Sequence, residues 1–357
     1  MNADLRPFSL PLSDPFETAR GTIERRDGFL LRLEADSGDP ADGDRPDASV
    51  GVGEATPLPG WTEHHDECEA ALRNAAETIN READSEPDAD APLADLGETP
   101  AARHALDLAL ADLRASREGV PLYRHLGASN RVETVPVNAT VGDAGAEETL
   151  EEAKRAANAG FECLKVKVGA RPVSADVERI EAVSDALPGI ELRADANGAW
   201  TRTQAQQFLD AMGDKLSYVE QPVPATDLAS LAALSGPVAL DETLAAVALE
   251  DALDADPHAV VLKPMALGGP RKAVELAEQA READVLPVVT TTVDGAVART
   301  AAVHVAAAIP EHAACGLATA TMLESDLGPD IAPVADGRAV VPQGDGNGTA
   351  DTWGYHD

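Results

Sequence analysis

The chain has 357 residues, which exceeds the usual domain size of about 100–200 residues, although α/β barrels reach about 250 residues as one domain. Its formal net charge of −35 would repel a polyanion, so nucleic acid is excluded as a partner. The hydrophobic fraction is 44% but the aromatic fraction only 3%, so the predicted core packs small aliphatic side chains.

The acidity is spread along the chain, with clusters at residues 34–44 and 84–90. We interpret it as adaptation to a high-salt cytoplasm, and an acidic protein-binding surface is the alternative. Three widely spaced cysteines, Cys68, Cys163 and Cys315, predict neither a disulfide framework nor a zinc site. The N-terminus lacks the apolar core of a signal peptide and no run of about 18 apolar residues occurs, so we expect a cytoplasmic protein with no membrane partner.

The first part of the chain has the pattern of an α+β domain. Residues 29–34 and 50–54 predict two strands of an antiparallel hairpin, joined by a polar loop. Residues 63–81 and 100–117 predict amphipathic helices. We therefore predict an α+β capping domain over residues 1–128, completed by about 323–357.

From residue 129 to 322, short β-like runs alternate with helical stretches, the pattern of parallel β-α units. With a first strand at 134–140, a seventh at 285–291 and an eighth near 313–317, eight strands are available to close a (β/α)8-type barrel. Chemistry in such barrels gathers at the C-terminal strand ends. An open doubly wound sheet is the alternative, but the Gly-x-Gly-x-x-Gly turn that it often carries is missing.

Three predicted strands in succession end in an acid, at Asp195, Glu220 and Asp241. Carboxylates that converge at one end of a barrel repel one another unless a cation neutralises them. All-oxygen ligation without histidine indicates Mg2+, with Mn2+ as an alternative, and argues against zinc. For any one of these acids the competing interpretation is a helix N-cap.

Of six lysines in the chain, three lie at predicted strand ends: Lys165 and Lys167 on one strand, and Lys263 on another. Lys165 and Lys167 are two residues apart and point to the same face, so their repulsion should lower the pKa of at least one and make it a base. Lys263 should approach from the opposite side; the competing interpretations are a snorkelling surface lysine and a salt bridge to a nearby acid. A base beside a metal predicts removal of a proton α to the carboxylate of a small-molecule substrate.

The sequence resembles the muconate-lactonizing-enzyme branch of the enolase superfamily and, within it, the o-succinylbenzoate synthases. The resemblance lies in these segments: Lys165-Val-Lys167, Asp195-Ala-Asn197, Glu220-Gln-Pro222, Asp241-Glu242, Lys263-Pro264, Gly53 to Trp61 and Ala101 to Leu113.

The resemblance implies that Asp195, Glu220 and Asp241 bind Mg2+ and that Lys167 is the general base. It implies that Lys165 polarises the substrate carboxylate or tunes its neighbour, and that Lys263 is a second acid/base or a stabilising cation. The implied synthase reaction is a syn elimination of water through an enediolate. We further predict that Asn197, Glu242, Asp294 and Gly295 support the site or bind substrate, and that the protein forms a homo-oligomer, as relatives of this branch commonly do.

Two segments depart from the family pattern. Residues 290–295 read Thr-Thr-Thr-Val-Asp-Gly where many relatives have a Glu-Ser pair before a glycine. Residues 316–321 carry no acid, whereas dipeptide epimerases of this branch have an Asp-x-Asp there. Glu324 and Asp326 follow in a predicted helix. An N-acylamino-acid racemase, a muconate cycloisomerase and a metal-binding barrel without catalysis remain as alternatives.

Overall fold

The computed structural model describes residues 1–18, 21–36, 48–81 and 90–354. The polar loop of the predicted hairpin and most of the two acidic clusters lie outside these residues. Within the described part, no helix is long and apolar enough to cross a membrane.

The N-terminal part is a three-stranded antiparallel sheet covered by helices. Its strands are β1 (Asn2–Thr18), β2 (Gly21–Asp36) and β3 (Ala48–Ala55), in the order β1-β2-β3. Its helices are α1 (His65–Arg81), α2 (Ala91–Ala94), α3 (Pro100–Glu118) and α4 (Leu122–His125). The predicted hairpin and both amphipathic helices are confirmed, and β1 is an addition that the sequence did not predict.

Helix α3 lies directly on β3 because the strand carries glycines where the helix crosses. A Cβ on Gly53 would stand 1.8 Å from the carbonyl oxygen of Ala105, and one on Gly51 would stand 2.0 Å from that of Ala109. The other face of the sheet is apolar as well, since Leu30 and Val52 share a buried cluster with Val297 and other residues of the C-terminal half. The sheet therefore packs between its own helices on one face and the C-terminal half of the chain on the other.

The second part of the chain alternates strand and helix. The strands are β4 (Thr134–Pro136), β5 (Ala139–Val141), β6 (Cys163–Lys167), β7 (Glu191–Asp195), β8 (Tyr218–Glu220), β9 (Val238–Leu240), β10 (Ala259–Leu262) and β11 (Leu286–Val289). The helices are α5 (Ala146–Asn158), α6 (Val173–Ala186), α7 (Arg202–Met212), α8 (Leu228–Ala232), α9 (Thr243–Ala246), α10 (Leu249–Leu253), α11 (Pro264–Leu267), α12 (Pro270–Glu282) and α13 (Ala296–Ala308). Strands β5 to β11 form one parallel seven-stranded sheet in chain order.

The sheet closes through a short extended segment between its two edges. Cys315 bridges to Val137 on one side, and Gly316 bridges to Thr290 on the other. The predicted eighth strand is therefore reduced to two bridging residues. The predicted first strand is divided between two sheets: β4 pairs with a C-terminal strand, while Val137 bridges to Cys315 and β5 joins the barrel sheet.

The C-terminal segment contacts both halves of the molecule. Strands β12 (Val334–Ala335) and β13 (Arg338–Val340) extend β4 into a small antiparallel sheet. Leu323 bridges to Leu12 of β1, and the Arg6 guanidinium donates to the Trp353 carbonyl at 2.8 Å. The predicted helix at Glu324 and Asp326 is wrong: a 3-10 turn ends at Met322, and both acids follow it outside any helix.

Candidate active site

The charged residues predicted at strand ends lie at strand ends in the structure. Strands β6, β7 and β8 end at Lys167, Asp195 and Glu220, and Asp241 and Lys263 directly follow β9 and β10. Lys167 is in register with Asp195, which is in register with Glu220. The prediction that one end of the barrel collects these five side chains is confirmed.

Two lysines and two carboxylates form a compact ionic cluster on β6, β7 and β8. The ammonium of Lys165 donates to Glu220 Oε1 at 2.9 Å and lies 3.1 Å from Asp195 Oδ2. Lys167 donates to the same Oδ2 atom at 2.7 Å. Both carboxylates are buried, while the side chain of Lys167 is 30% exposed. Lys167 is thus the member of the pair that is open to a substrate.

The predicted lowering of a lysine pKa does not apply to Lys165. Burial lowers its pKa, but the charges of Glu220, Asp195 and Asp241 outweigh burial and hold the pKa well above its ordinary value. Attraction by three acids exceeds repulsion by one neighbouring lysine. Lys165 is therefore a permanent cation in this arrangement.

Lys263 stands on the opposite side of the cluster, as predicted. Its ammonium donates to both carboxylate oxygens of Asp241, at 2.6 and 2.5 Å. The ring of Trp61 covers the same ammonium, with its centroid 3.3 Å from Nζ. The side chain is only 12% exposed, so it is not a surface lysine, whereas the alternative of a salt bridge to a nearby acid is met by Asp241. Trp61 appeared in the sequence only as the end of a segment that resembles the family, and its contact with Lys263 was not predicted.

Asn197 links the candidate base to the next strand end. Its side-chain oxygen accepts from Lys167 at 2.8 Å, and its amide nitrogen donates to Glu242 Oε1 at 2.9 Å. The backbone of Asn197 is left-handed, with φ at 44°, a conformation that asparagine tolerates better than most residues. Glu242 fixes which end of the amide faces Lys167, since only the nitrogen can donate to a carboxylate.

Gln221 supports the turn that carries Asp241, a role that sequence reasoning missed. Its side-chain oxygen accepts from the backbone N–H groups of Asp241 and Thr243, both at 3.1 Å, and from the Thr243 hydroxyl. It is fully buried and has a positive φ of 38°. The only signal in the sequence was its place between Glu220 and Pro222.

The three acids suit a hard divalent cation by their chemistry. Burial, and then the charge of Asp195, raises the pKa of Glu220 to about 7. Burial raises the pKa of Asp241 to about 6 against the pull of Lys263. Such carboxylates need positive charge nearby, and all-oxygen ligands match Mg2+. Among the described residues, no group of three or more His, Cys, Asp or Glu side chains is already arranged to bind a metal ion. Each of the three acids instead accepts a hydrogen bond from a lysine.

Asp294 and Gly295 lie near this end of the barrel, but their contacts are structural. Asp294 is buried and accepts from the backbone N–H of Thr292 at 3.0 Å and from the Thr292 hydroxyl. Gly295 donates its N–H to Glu54 of β3 at 2.7 Å. The loop that contains them starts beside Lys263, since Thr290 N–H donates to the Leu262 carbonyl at 3.0 Å.

Comparison with known proteins agrees with this architecture. The sequence model described as "Enolase C-terminal domain-like" matches residues 148–350, more than half of the chain. The chain belongs to the enolase superfamily. The matched span begins in α5 and contains every barrel residue of the ionic cluster.

The proteins that this chain resembles are named for different activities. An o-succinylbenzoate synthase of Thermobifida fusca is 42% identical over 223 residues, which cover 59% of this chain and 67% of that protein. An L-Ala-D/L-Glu epimerase of Clostridium acetobutylicum is 30% identical over 321 residues, which cover 84% of each. The solved dipeptide epimerase of Methylococcus capsulatus, complexed with Mg and the dipeptide L-Arg-D-Lys, has a TM-score of 0.82 at 29% identity and covers 97% of this chain and 98% of its own. The chain is therefore an enzyme of a magnesium-dependent superfamily.

Proposed function

We propose that the protein is an o-succinylbenzoate synthase, which dehydrates 2-succinyl-6-hydroxy-2,4-cyclohexadiene-1-carboxylate to 2-succinylbenzoate for menaquinone biosynthesis in the cytoplasm. The observation that supports the proposal most is the arrangement of the cluster. A partly exposed lysine, Lys167, lies on one side of three buried carboxylates, and Lys263 lies on the other. Such a site suits removal of a proton next to a carboxylate.

Asp195, Glu220 and Asp241 would hold Mg2+, one carboxylate from each of three consecutive strand ends. When bound, the ion would neutralise the substrate carboxylate and stabilise the negative charge that develops on it. Lys165, flanked by Asp195 and Glu220, would add a fixed positive charge at the same place.

Lys167 would carry out both proton transfers. As the free amine it would take the proton from C1 of the substrate, and as the ammonium it would return that proton to the hydroxyl leaving from C6. The C1–H and C6–O bonds break, the ring becomes aromatic, and one water molecule is released. Asn197 would hold the Nζ atom of Lys167 in position for proton transfer through the 2.8 Å hydrogen bond. Lys263, held by Asp241 and Trp61, would face the other side of the ring as a cation.

The contacts of Asp326 favour a synthase over a dipeptide epimerase. An epimerase needs an acid for the substrate amine, and residues 316–321 offer none. Asp326 makes other contacts instead: it accepts a hydrogen bond from Ala296 N–H at 2.7 Å and forms an ion pair with Arg299 at 2.8 Å. An N-acylamino-acid racemase is the second candidate, favoured by the presence of lysines on both sides of the acids.

The direct test is the Mg2+-dependent formation of 2-succinylbenzoate, followed by absorbance and confirmed by mass spectrometry. We expect turnover that EDTA abolishes and Mg2+ restores, and no turnover above background by Lys167→Ala. Full activity of Lys167→Ala would refute the assignment of the base. Racemisation of N-succinylamino acids without any dehydration would select the second candidate, and Mg2+ binding without exchange of any α-proton for solvent deuterium would indicate a barrel without catalysis.

A further inference from the structure

Two charged side chains of the N-terminal sheet are buried against the barrel, and neither belongs to the ionic cluster described above. Glu54 of β3 is completely buried, and its carboxylate accepts from Gly295 N–H at 2.7 Å, from Ala298 N–H at 2.8 Å and from the Thr56 hydroxyl at 2.5 Å. Taking a carboxylate out of water is unfavourable unless hydrogen-bond donors satisfy its lone pairs. These three donors satisfy it, and two of them belong to the barrel.

Helix α13 has no cap of its own, since its N-cap position is Gly295. Its first N–H groups are instead capped by acids from elsewhere in the chain. Glu54 accepts from Gly295 and Ala298, and Asp326 of the C-terminal segment accepts from Ala296 at 2.7 Å. Negative charge at a helix N-terminus is stabilising. The start of α13 is thus fixed by the N-terminal sheet and the C-terminal segment together.

Arg26 of β2 joins two loops with one guanidinium group. Its Nη2 and Nη1 atoms donate to the carbonyls of Thr56 and Pro57, at 2.8 and 3.3 Å, and its Nε atom donates to the carbonyl of Val293 at 3.2 Å. Val293 has φ at 61°, a left-handed conformation that a β-branched residue adopts only when its surroundings enforce it.

Of the loops held by Arg26 and Glu54, one covers Lys263 and the other follows the strand next to it. The first, residues 56–64 (the Trp61 loop), places the Trp61 ring 3.3 Å from the Lys263 ammonium. The second, residues 290–295 (the β11 loop), begins with the 3.0 Å hydrogen bond from Thr290 N–H to Leu262, the residue before Lys263. Arg26 and Glu54 therefore contact both the loop that covers Lys263 and the loop that follows the neighbouring strand.

We propose that Arg26 and Glu54 are a positioning pair for the reaction: they set the Trp61 loop and the β11 loop relative to each other and so fix the pocket around Lys263. The proposal rests on the proposed function for its kinetic consequence. A misplacement of about 1 Å around a reacting group can cost about a hundredfold in rate. Loss of the pair should therefore lower kcat more than its effect on stability would explain.

The chain offers a matched control in Asp112 of α3. Its buried carboxylate also accepts from two backbone N–H groups, those of Val52 at 2.8 Å and Asn347 at 2.6 Å, and within the described part of the chain its hydrogen bonds involve neither the Trp61 loop nor the β11 loop. Glu54→Gln and Asp112→Asn make the same chemical change, from carboxylate to amide, at two buried helix-associated sites. Only the first should move the loops.

The experiment compares the wild-type chain, Glu54→Gln, Arg26→Met and Asp112→Asn at a temperature where each is folded by circular dichroism. Backbone hydrogen exchange is measured by mass spectrometry in peptides covering residues 56–64 and 286–300, and kcat and KM are measured for 2-succinylbenzoate formation. We expect faster exchange in both peptides and a loss in kcat of about tenfold or more for Glu54→Gln and Arg26→Met. Asp112→Asn should leave both within about twofold of the wild type.

Equal exchange in both peptides for Glu54→Gln and Asp112→Asn would overturn the proposal, whatever the activity. So would faster exchange with an unchanged kcat, since the loops would then move without consequence. If Glu54→Gln does not fold, Arg26→Met decides between the same outcomes. A wild-type chain that forms no succinylbenzoate would contradict the proposed function alone, because hydrogen exchange would still decide whether the pair holds the loops.

Discussion

Replacing Trp61 is the sharpest single perturbation of the pocket outside the ionic cluster. The ring centroid stands 3.3 Å from the Lys263 ammonium, and the side chain of Lys263 is only 12% exposed. A cation–π contact contributes about 0.5–1 kcal/mol at exposed sites and about 2 kcal/mol when desolvated. Because the site is largely shielded from water, we use the upper half of that range, about 1–2 kcal/mol.

Trp61→Leu removes the π-face and keeps an apolar side chain. If Lys263 acts on the substrate as a cation, a loss of about 1–2 kcal/mol lowers kcat/KM by about 5- to 30-fold. Trp61→Phe keeps a smaller π-face and should lose less than half of that free energy. The assay is the initial rate of 2-succinylbenzoate formation over a range of substrate concentrations, with thermal unfolding as a check on the fold.

Two results would refute this reasoning. A Trp61→Leu variant within twofold of the wild type would show that the ring contributes nothing to the reaction. A Trp61→Phe variant as impaired as Trp61→Leu would show that the shape of the indole matters and its π-face does not.

Three other predictions follow from the structure. Glu242→Gln permits the Asn197 amide to turn its nitrogen toward Lys167, so we expect kcat to fall about tenfold with little change in KM; steady-state kinetics equal to the wild type would contradict this. Burial lowers the pKa of His304 from 6.5 to about 3. The neutral side chain therefore makes its full contribution to the free energy of unfolding above pH 6.5, and this contribution is lost as the pH falls toward 3. Between pH 6.5 and 5 the wild type should lose about 2 kcal/mol more than His304→Phe in urea unfolding, and parallel losses would refute the assignment. The net charge of −35 predicts that the free energy of unfolding rises from about 0.1 M to about 1 M KCl as repulsion is screened, and a flat dependence would argue against salt adaptation.

The positions of the charged residues were predictable from the sequence because parallel strands end at the same edge of a barrel. The run of residues before Asp195, Glu220 and Asp241 reads as a buried strand in each case, and strand ends of successive β-α units become neighbours by topology alone. The spacing of Lys165 and Lys167 fixed their common face in the same way.

What the sequence did not reveal depends on contacts between distant parts of the chain. Trp61 reaches Lys263 from the N-terminal half, and Glu54 reaches α13 across 241 residues. Repulsion within the lysine pair does not decide the pKa of Lys165, which is raised because three acids surround it, and distances to acids on other strands are not a property of local spacing. Strand β1 escaped prediction because Pro7 and Pro11 interrupt its pattern, yet an edge strand tolerates proline.

The central claim is that Lys167 performs both proton steps of a dehydration while Lys263 serves only as a cation. The most direct measurement is the rate of 2-succinylbenzoate formation by three chains with Mg2+: the wild type, Lys167→Ala and Lys263→Arg. We expect turnover by the wild type, none above background by Lys167→Ala, and residual turnover by Lys263→Arg, since arginine keeps the charge but cannot act as a base. Turnover by Lys167→Ala would show that another group is the base, and complete loss of turnover in a folded Lys263→Arg would show that Lys263 is more than a cation.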